Sequence, residues 1–234
     1  MTLLEISYVV QQIAQVYGKP LTLPLESFNN FCRVAQEELF KEFADGYSIG
    51  NGAYVDSRVS AALNPFKNTT AIVQFSSTTV HGVTGSTAIL NPDIYKLLSV
   101  FGYKTPNTFN SGAVTIDIID DHELSYRISN VITEPSFDYP VCIVDINNST
   151  IPYFHIIPAG ITGVEISWLK KPTAPELKET LVGGVRTTGT GTVELQFNSI
   201  FHTDIVRKIL GYLGVSVGNG DIVQVMANQD SKEK

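Results

Sequence analysis

Four histidines, His81, His122, His155 and His202, are the first side chains to test for chemistry, because imidazole serves both metals and proton transfer. No two of them lie three or four positions apart, so the helical metal pair is absent. Asp121-His122-Glu123 places two carboxylates beside an imidazole. Adjacent residues on a helix point different ways, however, and acidic residues are favoured at a helix start in any case. A solvated helix start is therefore preferred there over a catalytic or metal site. Glu165 alternates with apolar neighbours on a strand pattern, where a solvated strand face outweighs a glycosidase carboxylate. Gly183-Gly-Val-Arg-Thr-Thr-Gly-Thr-Gly191 is rich in glycine, yet it lacks both Gly-Lys-Ser/Thr and G-x-G-x-x-G, so it does not cradle phosphate. A mobile contact arm is the better reading, and Gly183, Gly184, Arg186, Thr188, Gly189 and Gly191 are the expected inter-subunit contacts. There is no Gly-x-Ser-x-Gly elbow. Cys32 and Cys142 each fall inside an apolar pattern and read as two buried thiols. No catalytic residue, cofactor or metal ligand is expected, and the chain reads as a non-enzyme.

The totals fit that reading. The 234 residues are 43% hydrophobic and 17% charged, which makes a sizeable core under an unusually uncharged polar surface. The formal net charge is −7, and Lys170-Lys171 and Arg207-Lys208 are the basic pairs, so no groove that grips nucleic acid is expected. The first residues lack a basic region and carry Glu5, unlike a signal peptide, and no window approaches the length of a membrane span.

Several elements can be placed by period and punctuation. Residues 2–17 predict a helix opened by a Thr2/Glu5 capping box, with Leu3, Ile6, Val9, Val10, Ile13, Val16 and Tyr17 at helical spacing. A second helix over 24–44 buries Phe28, Phe31, Cys32, Ala35, Leu39 and Phe43 and turns Arg33, Gln36, Glu37 and Lys41 away, and the short link makes a helical hairpin the default. A third helix is expected over 55–63. Strands follow at 71–75, 87–90 and 114–119, with helices at 92–101 and 120–131. The apolar runs at 139–146, 151–157 and 163–172, separated by Asn147-Asn-Ser-Thr and Pro158-Ala-Gly, predict an antiparallel meander. Its third strand carries Val164, Ile166 and Trp168 on the buried face. Residues 172–191 show no period and read as a loop or arm. A strand at 193–197, a helix from 198 or 199 to 213 with Phe201, Ile205, Ile209, Tyr212 and Leu213 inward, and a short helix from Asp221 to Met226 complete the chain. The fold class is α+β: a single domain over 1–234, with a helical part at 1–63, a mostly β part at 70–197 that includes the loop, and C-terminal helices at 198–228.

The order of these motifs resembles the ring-forming connector and tail proteins of crAss-like short-tailed bacteriophages. The resemblance lies in Leu25-Glu-Ser-Phe-Asn-Asn-Phe-Cys-Arg-Val-Ala-Gln-Glu-Glu-Leu-Phe-Lys41, Leu90-Asn-Pro-Asp-Ile-Tyr95, Tyr139-Pro-Val and Ile156-Ile-Pro158. It continues through Ile166-Ser-Trp-Leu-Lys-Lys-Pro-Thr-Ala-Pro175, Asp204-Ile-Val-Arg-Lys-Ile-Leu-Gly-Tyr-Leu-Gly-Val215 and Asp221-Ile-Val-Gln-Val-Met-Ala227. Asn91 stands where the pattern expects Pro. The resemblance implies a structural virion protein of the neck or tail, assembled in the host cytoplasm. It implies a head–tail connector, a homo-oligomeric ring of about twelve copies that meets the portal and other ring proteins. DNA would pass through at ejection without tight binding, and no membrane is involved. Arms at 172–191 and 104–112 would lap onto neighbouring copies. The competing expectation is a virion-attached polysaccharide-binding module, with Tyr47, Tyr54 and Tyr103 exposed to stack on sugars, or a glycan hydrolase using Glu165 or the acidic cluster at 120–123.

Overall fold

The computed structural model describes residues 1–18, 23–47, 57–72, 76–80, 83–89, 93–103, 114–145, 153–161 and 163–215. The expected arm at 104–112, Tyr54, His81 and the helix from Asp221 to Met226 lie outside the described residues. The helices are α1 (Leu3–Val16), α2 (Leu25–Gly46), α3 (Ser57–Leu63), α4 (Asp121–Ile128) and α5 (His202–Tyr212). The strands are β1 (Lys67–Ile72), β2 (Ser76–Val80), β3 (Val83–Ile89), β4 (Ile94–Tyr103), β5 (Val114–Ile118), β6 (Val141–Asp145), β7 (Tyr153–Ile157), β8 (Gly163–Lys170), β9 (Glu179–Val182) and β10 (Val185–Thr188). The fold is α+β, with helices at both ends of the described chain. It divides into two compact units, Met1–Phe66 with Pro172–Lys234, and Lys67–Lys171. Residues 172–197, grouped by sequence with the β part, thus belong with the helices.

In the helical unit, Thr2 and Glu5 form the expected capping box, and the Glu194 carboxylate accepts from the Leu3 amide at 2.7 Å, so the α1 N-terminus is closed by near and distant groups alike. Helix α1 buries Leu3, Ile6, Val9, Val10 and Ile13, while Val16 and Tyr17, predicted inward, are exposed at its end. Helix α5 packs against both α1 and α2, taking much of the place the hairpin expectation gives to α2 as partner of the α1 stripe. At the centre, Phe40 meets Phe66 edge-on at 5.0 Å, Phe66 meets Phe197 at 4.9 Å and Phe43 meets Phe201 at 5.4 Å. Phe197 sits in this aromatic cluster although the strand predicted at 193–197 does not form. A lone bridge between Glu176 and Val193 is what remains of it, because the segment is held by side chains of α2 instead of a ladder.

The β unit is an eight-stranded sheet in the order β1-β8-β4-β5-β6-β7-β3-β2, antiparallel apart from the parallel β5–β6 pair. Its two edge strands, β1 and β2, are consecutive in the chain. Four peptide links separate Ile72 from Ser76, a reach of at most about 14 Å, so the sheet curls until its edges approach. The curl encloses a core in which Val164, Ile166 and Trp168 of β8 share one apolar cluster with Phe154 and Ile156 of β7, four places away in strand order. Gly102 of β4 lies where a Cβ would come within 2.9 Å of the Ile116 side chain, so this wall has no room for one. Outside the sheet, α4 lays Leu124 and Ile128 on Val141, Ile143 and Ile157.

Two expectations fail here for identifiable reasons. The meander stops after β6 and β7: β8 pairs with β1 and β4, not with β7. Residues 92–101, predicted helical from Ile94, Leu97, Leu98 and Phe101, contain strand β4 instead. Its pairing with β8 shifts register between Ile94 and Lys96 and again between Leu97 and Ser99, which breaks the period-two alternation that would have announced a strand. No helix among the described residues is long and apolar enough to cross a membrane.

Candidate functional site

The six residues expected to contact other subunits fall in and just beyond a β-hairpin. Strands β9 and β10 pair antiparallel, Val182 opposite Val185, across Gly183-Gly184. Both glycines have positive φ, 61° and 84°, as a two-residue hairpin turn of the primed type requires. Thr180 and Thr187 face each other with hydroxyls 3.0 Å apart. The unperiodic loop expected at 172–191 is therefore partly a regular hairpin. The missed signal was Gly-Gly between two valines, the short-range signature of a two-residue turn.

The hairpin has a locked base and an open tip. At the base the Gly189 amide donates to the Lys178 carbonyl, and the Thr192 hydroxyl lies 2.9 Å from the Gly189 carbonyl and accepts from the Lys178 amide at 3.1 Å. A Cβ on Gly189 would come within 2.9 Å of that Lys178 carbonyl, so glycine there serves a close backbone approach. Thr188 closes the β-ladder opposite Glu179, and Gly191 turns the chain back at φ 85°. At the tip a Cβ on Gly183 or Gly184 would meet nothing within 4 Å. Leu181 is 73% exposed, and Val182 and Val185, on the opposite hairpin face, are 64% and 63% exposed. Arg186 lies 3.7 Å from the Glu179 carboxylate and is itself well exposed.

A second apolar surface lies on the β unit. The chain leaving α4 is shaped by turns: the Asn130 side chain accepts from the Ile132 amide at 3.0 Å, and Ser136 and Tyr139 exchange backbone bonds. Val131 and Ile132 stand 89% and 92% exposed on this ordered loop, with Tyr126 and Tyr139 also turned to solvent. Ile132, Tyr126 and Tyr139, together with Asp117, Glu123 and Glu134, border a groove of about 430 Å³. Arg127 reaches Glu123 at 2.6 Å and Asp117 at 3.2 Å.

The residues weighed for catalysis are occupied with structure. Asp120 caps α4 by accepting from the Glu123 amide at 2.7 Å. Glu123 is held by Arg127, and His122 is exposed beside them. Glu165 is half-buried and accepts from the Tyr103 hydroxyl at 3.3 Å, and burial first and Glu165 second push that phenol up. Tyr47 and Tyr103, expected on the surface for sugar stacking, are both buried. His155 lies in the curled sheet with Nδ1 2.7 Å from the Thr87 hydroxyl, and Gly85 opposite it leaves the space its ring fills. His202 is buried with Nε2 3.0 Å from the Phe197 carbonyl, and burial holds its pKa below the ordinary imidazole value. Both thiols are buried as expected, and burial pushes Cys142 up to about 12. Among the described residues, no group of three or more His, Cys, Asp or Glu is placed to hold a metal ion. No protein-family model matches the chain, and no curated protein matches it in sequence.

Proposed function

We propose that the chain is a structural virion protein that assembles with copies of itself into a ring in the neck or tail of a short-tailed phage, joining portal to tail around the DNA passage. The observation that carries this reading is the β9–β10 hairpin: a two-stranded element with apolar side chains open on both faces, on a base tied by hydrogen bonds. An isolated two-stranded hairpin is marginal in water, and its apolar tip contributes nothing to the fold that bears it. Such a tip gains by being covered. A patch that is covered by a different patch on the next copy makes a heterologous contact, and contacts of that kind form a ring when the rotation between copies closes. The order of sequence motifs supports the phage setting and a ring of about twelve copies. The net charge of −7 suits a passage to which DNA does not adhere.

Size-exclusion chromatography with light scattering on the purified chain tests the assembly. A discrete oligomer of uniform mass is expected as concentration rises. A monomer throughout the accessible range overturns the reading. The passage is tested separately by electron microscopy of the assembled ring: a channel wall dominated by Lys and Arg would contradict its role as a non-adhering conduit.

A further inference from the structure

We infer that the groove bordered by Tyr126, Ile132 and Tyr139 is the receptor for the β9–β10 hairpin tip of a second copy. This rests on the reading that the chain assembles with itself, and it names the surface that does the receiving.

Each half supplies what the other lacks. The tip carries small aliphatic side chains, Leu181, Val182 and Val185, with open space around its glycine turn. The groove, about 430 Å³ in volume, offers two tyrosine rings and an isoleucine that the fold leaves uncovered. Its loop is already ordered by the Asn130 and Ser136 turns, so little conformational freedom is lost when a partner seats. The charges also match. Arg127 is the one cation among the described residues lining the groove, and it is engaged by Glu123 and Asp117. That leaves the exposed Glu134 without a cation among the described residues. On the tip, Arg186 is the charged residue nearest the turn, held loosely by Glu179 at 3.7 Å. Seating the tip brings an apolar cluster together and gives Glu134 a guanidinium. Donor and receptor are different patches of one sequence, as a repeating contact between identical copies requires.

The experiment mixes copies bearing Val182→Cys with copies bearing Ile132→Cys under mild oxidation, alongside the wild-type chain in light scattering. Both positions are well exposed, so neither change threatens folding, and the native Cys32 and Cys142 are buried out of reach. A disulfide-linked dimer is expected in the mixture and in neither copy alone. Wild-type oligomers with no cross-link in the mixture would overturn the groove while leaving self-assembly standing. A wild-type chain that stays monomeric would overturn both. As a second measure, Glu134→Arg and Arg186→Glu should each weaken association by roughly fivefold, and their combination should restore it. Additive losses in the double variant would contradict the pairing.

Discussion

Residues 172–188 run as one segment of the helical unit, yet its two halves are treated very differently by the fold. The first half is strapped to α2. Asn29 donates its side-chain amide to the Leu177 carbonyl at 3.1 Å and accepts from the Leu177 amide at 2.9 Å, imitating a β-bridge with a side chain. Two helical turns on, the buried Gln36 donates to the Thr173 carbonyl at 2.8 Å and accepts from the Gln196 amide at 3.0 Å. Gln196 in turn accepts from the Thr173 amide at 2.6 Å. The second half, the hairpin, has no such ties beyond its base among the described residues and shows its apolar residues to solvent. In the strap, backbone groups are matched one by one by side chains; at the tip, apolar area is left exposed. One half is finished by folding; the other, on the proposed reading, is finished by a partner.

Substitutions on either side separate the two roles. Gln36→Ala is expected to have the largest effect, about 3 kcal/mol of lost stability in urea unfolding, because it removes a fully buried side chain and leaves two part-buried backbone groups without their partner. Asn29→Ala, nearer the surface, should cost about 2 kcal/mol by the same mechanism. If both proved neutral, the strap would not be holding the segment.

His202 extends the strap by bonding the Phe197 carbonyl, and it gives the helical unit a pH dependence. Burial lowers its folded pKa, with Met1, Glu194 and Glu5 the charged groups that bear on it. The unfolded chain therefore binds the proton first as pH falls below about 6.5, the ordinary imidazole value, and stability declines from there down to the folded pKa. Unfolding free energies at pH 7.5 and 5.5 should show this loss, and His202→Gln should flatten it. The smallest stability effect belongs to the hairpin: Leu181→Ser with Val182→Ser should stay within about 0.5 kcal/mol of the wild type while abolishing self-association. A large loss of stability would mean that the tip is part of the fold after all.

Many helices could be read in advance, since capping boxes and 3.6-residue periods are local: the Thr2/Glu5 pair, the Asp120 cap and most of the α2 face, Phe31 and Gln36 apart, appear as expected. Gln36 could not. Polarity assigns it to the outer face, whereas its value lies in backbone groups more than a hundred residues away. The partner of β8 was equally hidden, because pairing across a curled sheet is decided by the whole set of strands and not by the turn that precedes it. At the candidate site, the glycines and Arg186 were picked out from composition alone, but the apolar residues between them matter more to the assembly reading. The groove was missed entirely. Val131, Ile132 and Tyr139 look like ordinary core residues in sequence, and their exposure emerges from three-dimensional structure.

Concentration-dependent hydrogen exchange of the amides at 181–186 tests most directly whether sister copies cover this surface. In dilute solution the tip should exchange quickly, as a solvent-exposed two-stranded hairpin does, and it should slow together with the amides at 130–134 as the chain is concentrated. Fast exchange at the tip at every concentration, in a chain shown to be oligomeric, would place the interface elsewhere and contradict the account.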